Sequence, residues 1–257
     1  MSGTDNDGTI SLNKFISDTG ICSRREADKL IQEGLVTLNG LTAKTGNRVQ
    51  AGDKVLVNGK LLKAPPKTIY LAFNKPVGIT CTTDIKEKGN IISYINYPQR
   101  IFPIGRLDKP SEGLIFLTND GNIVNKILRA GNNHQKEYVV TVNKPITPQF
   151  IQRMGNGIPI LGTVTKKCLV KQNGPLVFTI VLTQGLNRQI RRMCEYLDYS
   201  VVKLKRVRIM NIDLGKLPVG KWRLLTPQEV STIQAMVASS IKTEEASLKL
   251  PSKQRKG

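Results

Sequence analysis

Three short stretches of the 257-residue chain concentrate side chains able to do chemistry. The first, Phe102-Pro103-Ile104-Gly105-Arg106-Leu107-Asp108-Lys109-Pro110-Ser111-Glu112-Gly113-Leu114, sets Asp108 in a turn-rich segment ahead of an apolar run. A carboxylate on a loop beside a rigid strand suits positioned chemistry. Flanking cations, here Arg106 and Lys109, favour its ionised form. Taken alone, an Asp in an Arg-Leu-Asp turn is more often a turn former or a surface ion pair. The second stretch, Gln184-Gly185-Leu186-Asn187-Arg188-Gln189-Ile190-Arg191-Arg192-Met193-Cys194, leads a glycine turn into a helix, and Lys203, Lys205, Arg206 and Arg208 follow. From 184 to 208 seven basic residues face only Glu195 and Asp198. Arginine forks match phosphate oxygens, and so dense a cluster repels itself without anions, which favours phosphate binding over a merely solvated face. Ile190, Met193 and Leu197 form the helix's apolar stripe. The third stretch, Lys136-Glu137-Tyr138, opens a strand with an aromatic that either stacks on a splayed base or fills a core or rim position.

Composition narrows what these groups can act on. Lys and Arg number 39 against 19 Asp and Glu, a net charge of +20, and such a field attracts polyanions. A membrane is a poor candidate, because no apolar run approaches the ~20 residues that span a bilayer. Residues 1–8 are polar and acidic, unlike a signal peptide, so the cytoplasm is the expected compartment. Cys22, Cys81, Cys168 and Cys194 lack the paired spacing of zinc or redox motifs. Cys168 and Cys194 read as small core residues. The single histidine, His134, lies in a polar run and reads as an exposed loop residue, which leaves a multi-histidine metal site or a Ser-His-Asp relay little to work with. With no Walker loop or dinucleotide fingerprint either, the chemistry falls to carboxylates, amines, guanidinium groups and hydroxyls.

The elements that must position these groups follow from periodicity and turn signals. Leu12, Phe15 and Ile16 recur at helical spacing. Ser23 and Glu26 fit a capping box, Ala27, Leu30 and Ile31 line the helix that follows, and Gly34 suits its stop. Asn39-Gly40 and Asn58-Gly59 close short strands as tight turns. The stiff, polar run Lys63-Ala64-Pro65-Pro66-Lys67 marks a linker. We therefore expect a small module over 10–62, a larger domain over 68–240 and a basic, disordered tail over 241–257. In the larger domain strands are expected at 70–73, 113–118, 138–142, 177–182 and 201–204, and helices at 122–128, 148–154, 188–197 and 227–238. Strands outnumber helices without strict alternation, which predicts an α+β domain on a largely antiparallel mixed sheet.

Two resemblances cover nearly the whole chain. Leu12-Asn13-Lys14-Phe15-Ile16, Gly20-Ile21-Cys22-Ser23-Arg24-Arg25-Glu26-Ala27 and Val36-Thr37-Leu38-Asn39-Gly40 resemble the S4 RNA-binding domain. Lys75-Pro76-Val77-Gly78, Gly105-Arg106-Leu107-Asp108 with Ser111-Glu112-Gly113-Leu114, Lys136-Glu137-Tyr138, and Asn187-Arg188-Gln189-Ile190-Arg191-Arg192-Met193 resemble, in order, the motifs of RsuA-like pseudouridine synthases. The departures are Arg188, where a histidine is commoner, and Gln184 in place of Glu; they leave the catalytic positions intact and bear on which RNA is read.

The resemblance implies a pseudouridine synthase fold and isomerisation of a uridine after base flipping, with no cofactor and no metal. It makes Asp108 the essential carboxylate, whether by attack on the sugar, attack on the base, or removal of the 2′ proton to give a glycal. It makes Arg191 the partner that holds Asp108 ionised and Tyr138 the aromatic that stacks on the flipped base, with Arg106 and Gln189 in support. The expected RNA-binding residues are Lys14, Arg24, Arg25 and Lys29 in the small module and Arg188, Arg192, Lys203 and Lys205 in the large domain. The implied partner is ribosomal RNA, that of the large subunit, with neither DNA nor membrane, and the chain is expected to be a monomer. Three rivals are a non-catalytic RNA-binding or ribosome-assembly factor, a metal-dependent nuclease, which needs more clustered carboxylates than Asp108 and Glu112 supply, and a DNA-binding regulator.

Overall fold

The computed structural model describes residues 8–128 and 133–238. The basic tail expected to be disordered, 241–257, lies outside the described residues. The chain forms two compact units, one running to Ile69 and including Tyr97–Ile101 and Asn119–Asn122, the other comprising Tyr70–Asn96, Phe102–Thr118 and the chain from Ile123 onward.

In the first unit, β1 (Ile10–Ser11), α1 (Leu12–Asp18) and α2 (Arg24–Gln32) precede β2 (Val36–Leu38), β3 (Leu41–Thr42), β4 (Arg48–Val49), β5 (Val55–Val57) and β6 (Lys60–Leu61). The four-stranded sheet has the order β3-β2-β5-β6, and β1 pairs with β4. Its two hairpins turn at Asn39-Gly40 and Asn58-Gly59, all four residues at positive φ, the conformation that a two-residue turn matched to strand twist requires. Ser23 Oγ accepts from the Glu26 amide and the Glu26 carboxylate accepts from the Ser23 amide, so the capping box is closed. Leu12, Ile16, Ala27, Ile31, Val36, Val49 and Val55 meet in one core.

The later elements are β7 (Tyr70–Lys75), α3 (Ile91–Ile95), β8 (Phe102–Ile104), β9 (Glu112–Thr118), α4 (Gly121–Leu128), β10 (Lys136–Val142), α5 (Pro148–Asn156), β11 (Pro159–Ile160), β12 (Thr163–Val164), β13 (Leu169–Gly174), β14 (Val177–Leu182), α6 (Gln189–Tyr196), β15 (Val201–Ile209), β16 (Ile212–Asp213), β17 (Trp222–Leu224) and α7 (Pro227–Val237). Nine strands form one sheet along the path β13-β14-β10-β15-β9-β7-β17, with β16 on β15 and β8 on β9. Its strand pairs are antiparallel except β15 with β9, where Lys205 faces Glu112 and Arg206 faces Gly113. The α+β, largely antiparallel architecture is therefore as expected.

That one parallel joint depends on a glycine. Gly113 has φ +108°, and a Cβ there would lie 2.2 Å from the Arg206 carbonyl oxygen. Only a residue without a side chain lets β9 approach β15 so closely.

The expected strands and helices are present, and four points differ from expectation. β15 continues to Ile209 instead of ending at Leu204, because the charges of Lys205, Arg206 and Arg208 mask its alternation. The short elements α3, β8, β13 and β17 carry little periodic signal and were not expected. His134, expected to be exposed, is 6% exposed; burial and then the neighbouring Lys136 lower its pKa. Cys194 is fully buried, whereas Cys168 is only partly so. Among the described residues no helix is long and apolar enough to cross a membrane.

Candidate active site

The loop carrying Asp108 is tethered from several sides within the second unit. Asp108 O accepts from the Ser111 amide at 2.9 Å, and Lys109 O accepts from the Gly78 amide at 2.8 Å. The Leu107 amide donates to Cys81 Sγ at 3.5 Å. The fully buried Lys75 closes the adjoining turn by donating to the carbonyls of Pro76 and Ile79 at 2.8 and 2.9 Å. Asp108 is thus presented by a braced turn at the head of β9.

A cavity of about 320 Å³ opens beside it. Its lining includes Arg106, Asp108 and Ser111 from that loop, Lys136 and Tyr138 from β10, Gln184 to Arg188 ahead of α6, Gln189 and Arg191 from α6, and Leu204 and Arg206 from β15. The sheet brings the strand residues together: Tyr138 is directly opposite both Ile180 of β14 and Arg206 of β15. Lys136 and Tyr138, two apart on one strand, share a face.

Arg191 Nε stands 3.8 Å from Asp108 Oδ2, with side chains 11% and 35% exposed. That nitrogen has no hydrogen-bond partner, while the other guanidinium nitrogens donate to Val201 O, Pro110 O and Ser111 Oγ at 3.2 to 3.3 Å. Three hydrogen bonds hold the fork, and its Nε, without a hydrogen-bond partner, is the nitrogen that stands nearest the carboxylate. Burial lowers the Arg191 pKa, Arg188 adds to this, and Asp108 opposes it.

Gln189, 4% exposed, braces the turn before α6. Its Oε1 accepts from the Leu186 amide at 3.0 Å, and its Nε2 faces Gln184 Oε1 at 3.4 Å. Arg188 precedes the helix in a left-handed conformation and is exposed. Arg192 donates to the Asn187 backbone and side chain at 3.1 and 3.3 Å. Arg106 is exposed at the cavity. Tyr138 is 9% exposed yet lines the cavity, so it is both a strand-face residue and a wall of the site.

The remaining cations expected to bind RNA are distributed more widely. Lys203, largely exposed, reaches Glu112 at 3.4 Å, and Lys205 is half-buried. In the first unit Arg24, Arg25 and Lys29 are exposed on α2. Arg24 donates to Asn13 Oδ1 at 3.3 Å, and Lys14 is paired with Asp18.

Two cavity residues did not stand out in the sequence as buried groups. Lys136 is 6% and Arg206 3% exposed. Arg206, counted from the sequence among the phosphate-binding cations, donates through Nε to Leu114 O at 2.6 Å, and its Cζ lies 5.9 Å from the Tyr138 ring centroid. A Lys two residues before Tyr138 on the same strand face was the available signal.

The comparisons with known proteins agree on a family. Residues 69–196 match the RNA pseudouridylate synthase family and residues 11–55 the S4 domain. The chain is 58% identical over 236 residues to the dual-specificity RNA pseudouridine synthase RluF of Salmonella typhi, covering 91% of this chain and 82% of that one. It is 35% identical over 235 residues to the ribosomal large subunit pseudouridine synthase B of Bacillus subtilis (strain 168), covering 88% and 96%. A crystal structure of a pseudouridylate synthase superposes with a TM-score of 0.65 at 28% identity, over 87% of this chain and 99% of that one.

Proposed function

Because the chain belongs to the RNA pseudouridylate synthase family and carries an S4 domain, we propose that it isomerises a uridine of large-subunit ribosomal RNA, with Asp108 as the essential carboxylate. Enzyme class and RNA substrate follow from the family. The large subunit as target is supported by the name of the 35% identical relative. The dual specificity named for the 58% identical relative makes a second target worth mapping.

The observation that carries the residue assignment is the Asp108–Arg191 pair, 3.8 Å apart beside a cavity walled by Tyr138. A uridine inside a stack is out of reach, so the base must flip out at a cost of a few kcal/mol. Tyr138 offers a face for the flipped uracil. Arg191 orients Asp108, leaving its second oxygen free to act at the sugar, at the base or on the 2′ proton. Arg106 guards the opening and Gln189 fixes the turn that bounds the site. The exposed cations Arg24, Arg25 and Lys29 on α2, Arg188 and Lys203, together with the half-buried Arg192, Lys205 and Lys14, offset the cost of flipping through contacts to the RNA backbone. Residues 10–62 act as the RNA-binding module and 68–240 as the catalytic one, in a cytoplasmic monomer.

The test is carbodiimide mapping of pseudouridine in cellular RNA from cells with the gene, without it, and with Asp108→Asn. One primer-extension stop in large-subunit RNA is expected to vanish in both altered strains, while the purified variant still binds RNA. A stop kept by Asp108→Asn removes the carboxylate assignment. An unchanged map after deletion removes the ribosomal target and favours a non-catalytic RNA-binding factor.

A further inference from the structure

Asp108 and Arg191 account for part of the cavity lining, which also holds two cations that the scheme above leaves unused. Lys136 and Arg206 both line the cavity, both are more than nine-tenths buried, and neither forms an ion pair among the described residues. Lys136 Nζ has one long hydrogen bond, 3.4 Å to His134 O. Arg206 uses Nε on Leu114 O, and its buried Nη2 has no partner. Burial, then the proximity of Arg206, brings the Lys136 ammonium down to about 8. Two buried like charges without a counter-ion are costly, and the cost is explicable when an anion visits. RNA phosphates are poor candidates for that anion, because these side chains are buried beside Tyr138 and not on an exposed face.

The reaction itself supplies an anion. On the sugar-attack and glycal routes the bond between uracil N1 and C1′ breaks with its electron pair going to N1. Asp108 covers the electron-deficient sugar, either as an ester at C1′ or by taking the 2′ proton. The base is then a uracil monoanion whose charge is shared with its two carbonyl oxygens. It must turn and form a bond from C5 to C1′; the C1′–O bond of the Asp108 ester breaks as it does so on the first route, and Asp108 returns the proton to C2′ on the second. The C5 proton is then lost and N1 regains one, so that atoms and electrons balance.

Resting on the pseudouridine synthase reading, we propose that Lys136 and Arg206 form a buried cationic cradle that stabilises the detached uracil as an anion and holds it while it turns. Tyr138, directly opposite Arg206 in the sheet, keeps the ring flat against that wall. Preorganised donors aimed at developing charge are worth more where they are buried than in water, and both of these side chains are buried.

The test compares single-turnover rates on RNA carrying uridine or 5-fluorouridine at the target. Fluorine makes the uracil anion more stable and so less dependent on the cradle; consumption of the target nucleoside reads the cleavage step. Lys136→Met is expected to slow the uridine reaction about 100-fold, in the range seen when one such donor is removed, with KM for RNA little changed. Its penalty on 5-fluorouridine is expected to be several-fold smaller, and Lys136→Arg should recover most of the uridine rate. Equal slowing of both substrates, or an effect confined to KM, overturns the proposal and makes Lys136 a structural or RNA-backbone residue. Should Lys136→Met not fold, Arg206→Lys serves the same two-substrate comparison with the same criteria. If the wild-type protein itself forms no pseudouridine, the underlying functional reading fails and not this assignment.

Discussion

Lys136 stands on a strand whose alternate side chains are buried, and a charge held there has a consequence for stability. Its folded pKa, about 8, lies below the ordinary lysine value of 10.5. Between those values the unfolded chain binds the proton and the folded one does not, so stability contributed through this group rises as pH climbs from about 8 to 10.5 and is lowest below 8. Lys136→Met removes that dependence. Chemical denaturation at pH 7 should find the variant more stable by up to about 3 kcal/mol, with the gap to wild type closing as pH approaches 10.5. A gap independent of pH removes the buried-charge account. At this scale the sequence showed the residue types and little of their surroundings. Asp108, Tyr138 and Arg191 stood out only through the order of motifs along the chain, since each taken alone has ordinary structural uses. The burial of Lys136 and Arg206 did not, since a lysine or arginine is ordinarily solvated and their common wall arises from pairing across about seventy residues of chain.

Among the elements, the joint between β9 and β15 decides whether Asp108 and Arg191 can face each other. β9 follows the Asp108 loop, and Val201 at the start of β15 gives Arg191 one of its acceptors. The two strands meet through two residue pairs, and Gly113 makes that approach possible. Gly113→Ala would put a Cβ into backbone atoms that have no flexible end to swing aside, at a left-handed φ as well. A loss of about 3 kcal/mol is expected, with kcat falling more than the RNA KM rises. Gly174→Ala, where a Cβ meets nothing within 4 Å, is the near-neutral control. Equal midpoints for the two variants in urea would show the joint to be less constrained than its geometry says. Elements with local chemistry were legible in sequence: the Ser23–Glu26 box, the two Asn-Gly turns, and long apolar strands such as β9 and β14. β8, β13 and β17 were not, because they are short or half-exposed and owe their strand geometry to neighbours already in the sheet. The parallel joint was equally hidden, as nothing local in Ser111-Glu112-Gly113 distinguishes a close strand contact from a turn glycine.

Across the whole molecule the net charge of +20 and the partly buried site act on different stages of the reaction. Exposed cations meet the RNA backbone in solvent, where each neutralised phosphate releases counter-ions and makes affinity fall with salt. The Asp108–Arg191 pair is 3.8 Å apart and partly buried, well inside a Debye length of about 8 Å at physiological ionic strength, so salt screens it weakly. Raising salt should therefore increase KM for RNA steeply while leaving the single-turnover rate at saturating RNA nearly constant. Arg24, Arg25 and Lys29 are exposed on α2, and replacing all three by Gln should flatten the logarithmic salt dependence of binding by about 2, taking ~0.7 per phosphate contact for single strands. The saturating rate of that triple variant should match wild type, since none of the three lines the cavity. A saturating rate that falls with salt as steeply as binding would mean that the outer charges also set the geometry of the chemical step. A triple variant with an unchanged slope would instead take α2 out of the RNA-binding surface, leaving Arg188, Arg192, Lys203 and Lys205 of the larger unit as the groups that hold the backbone.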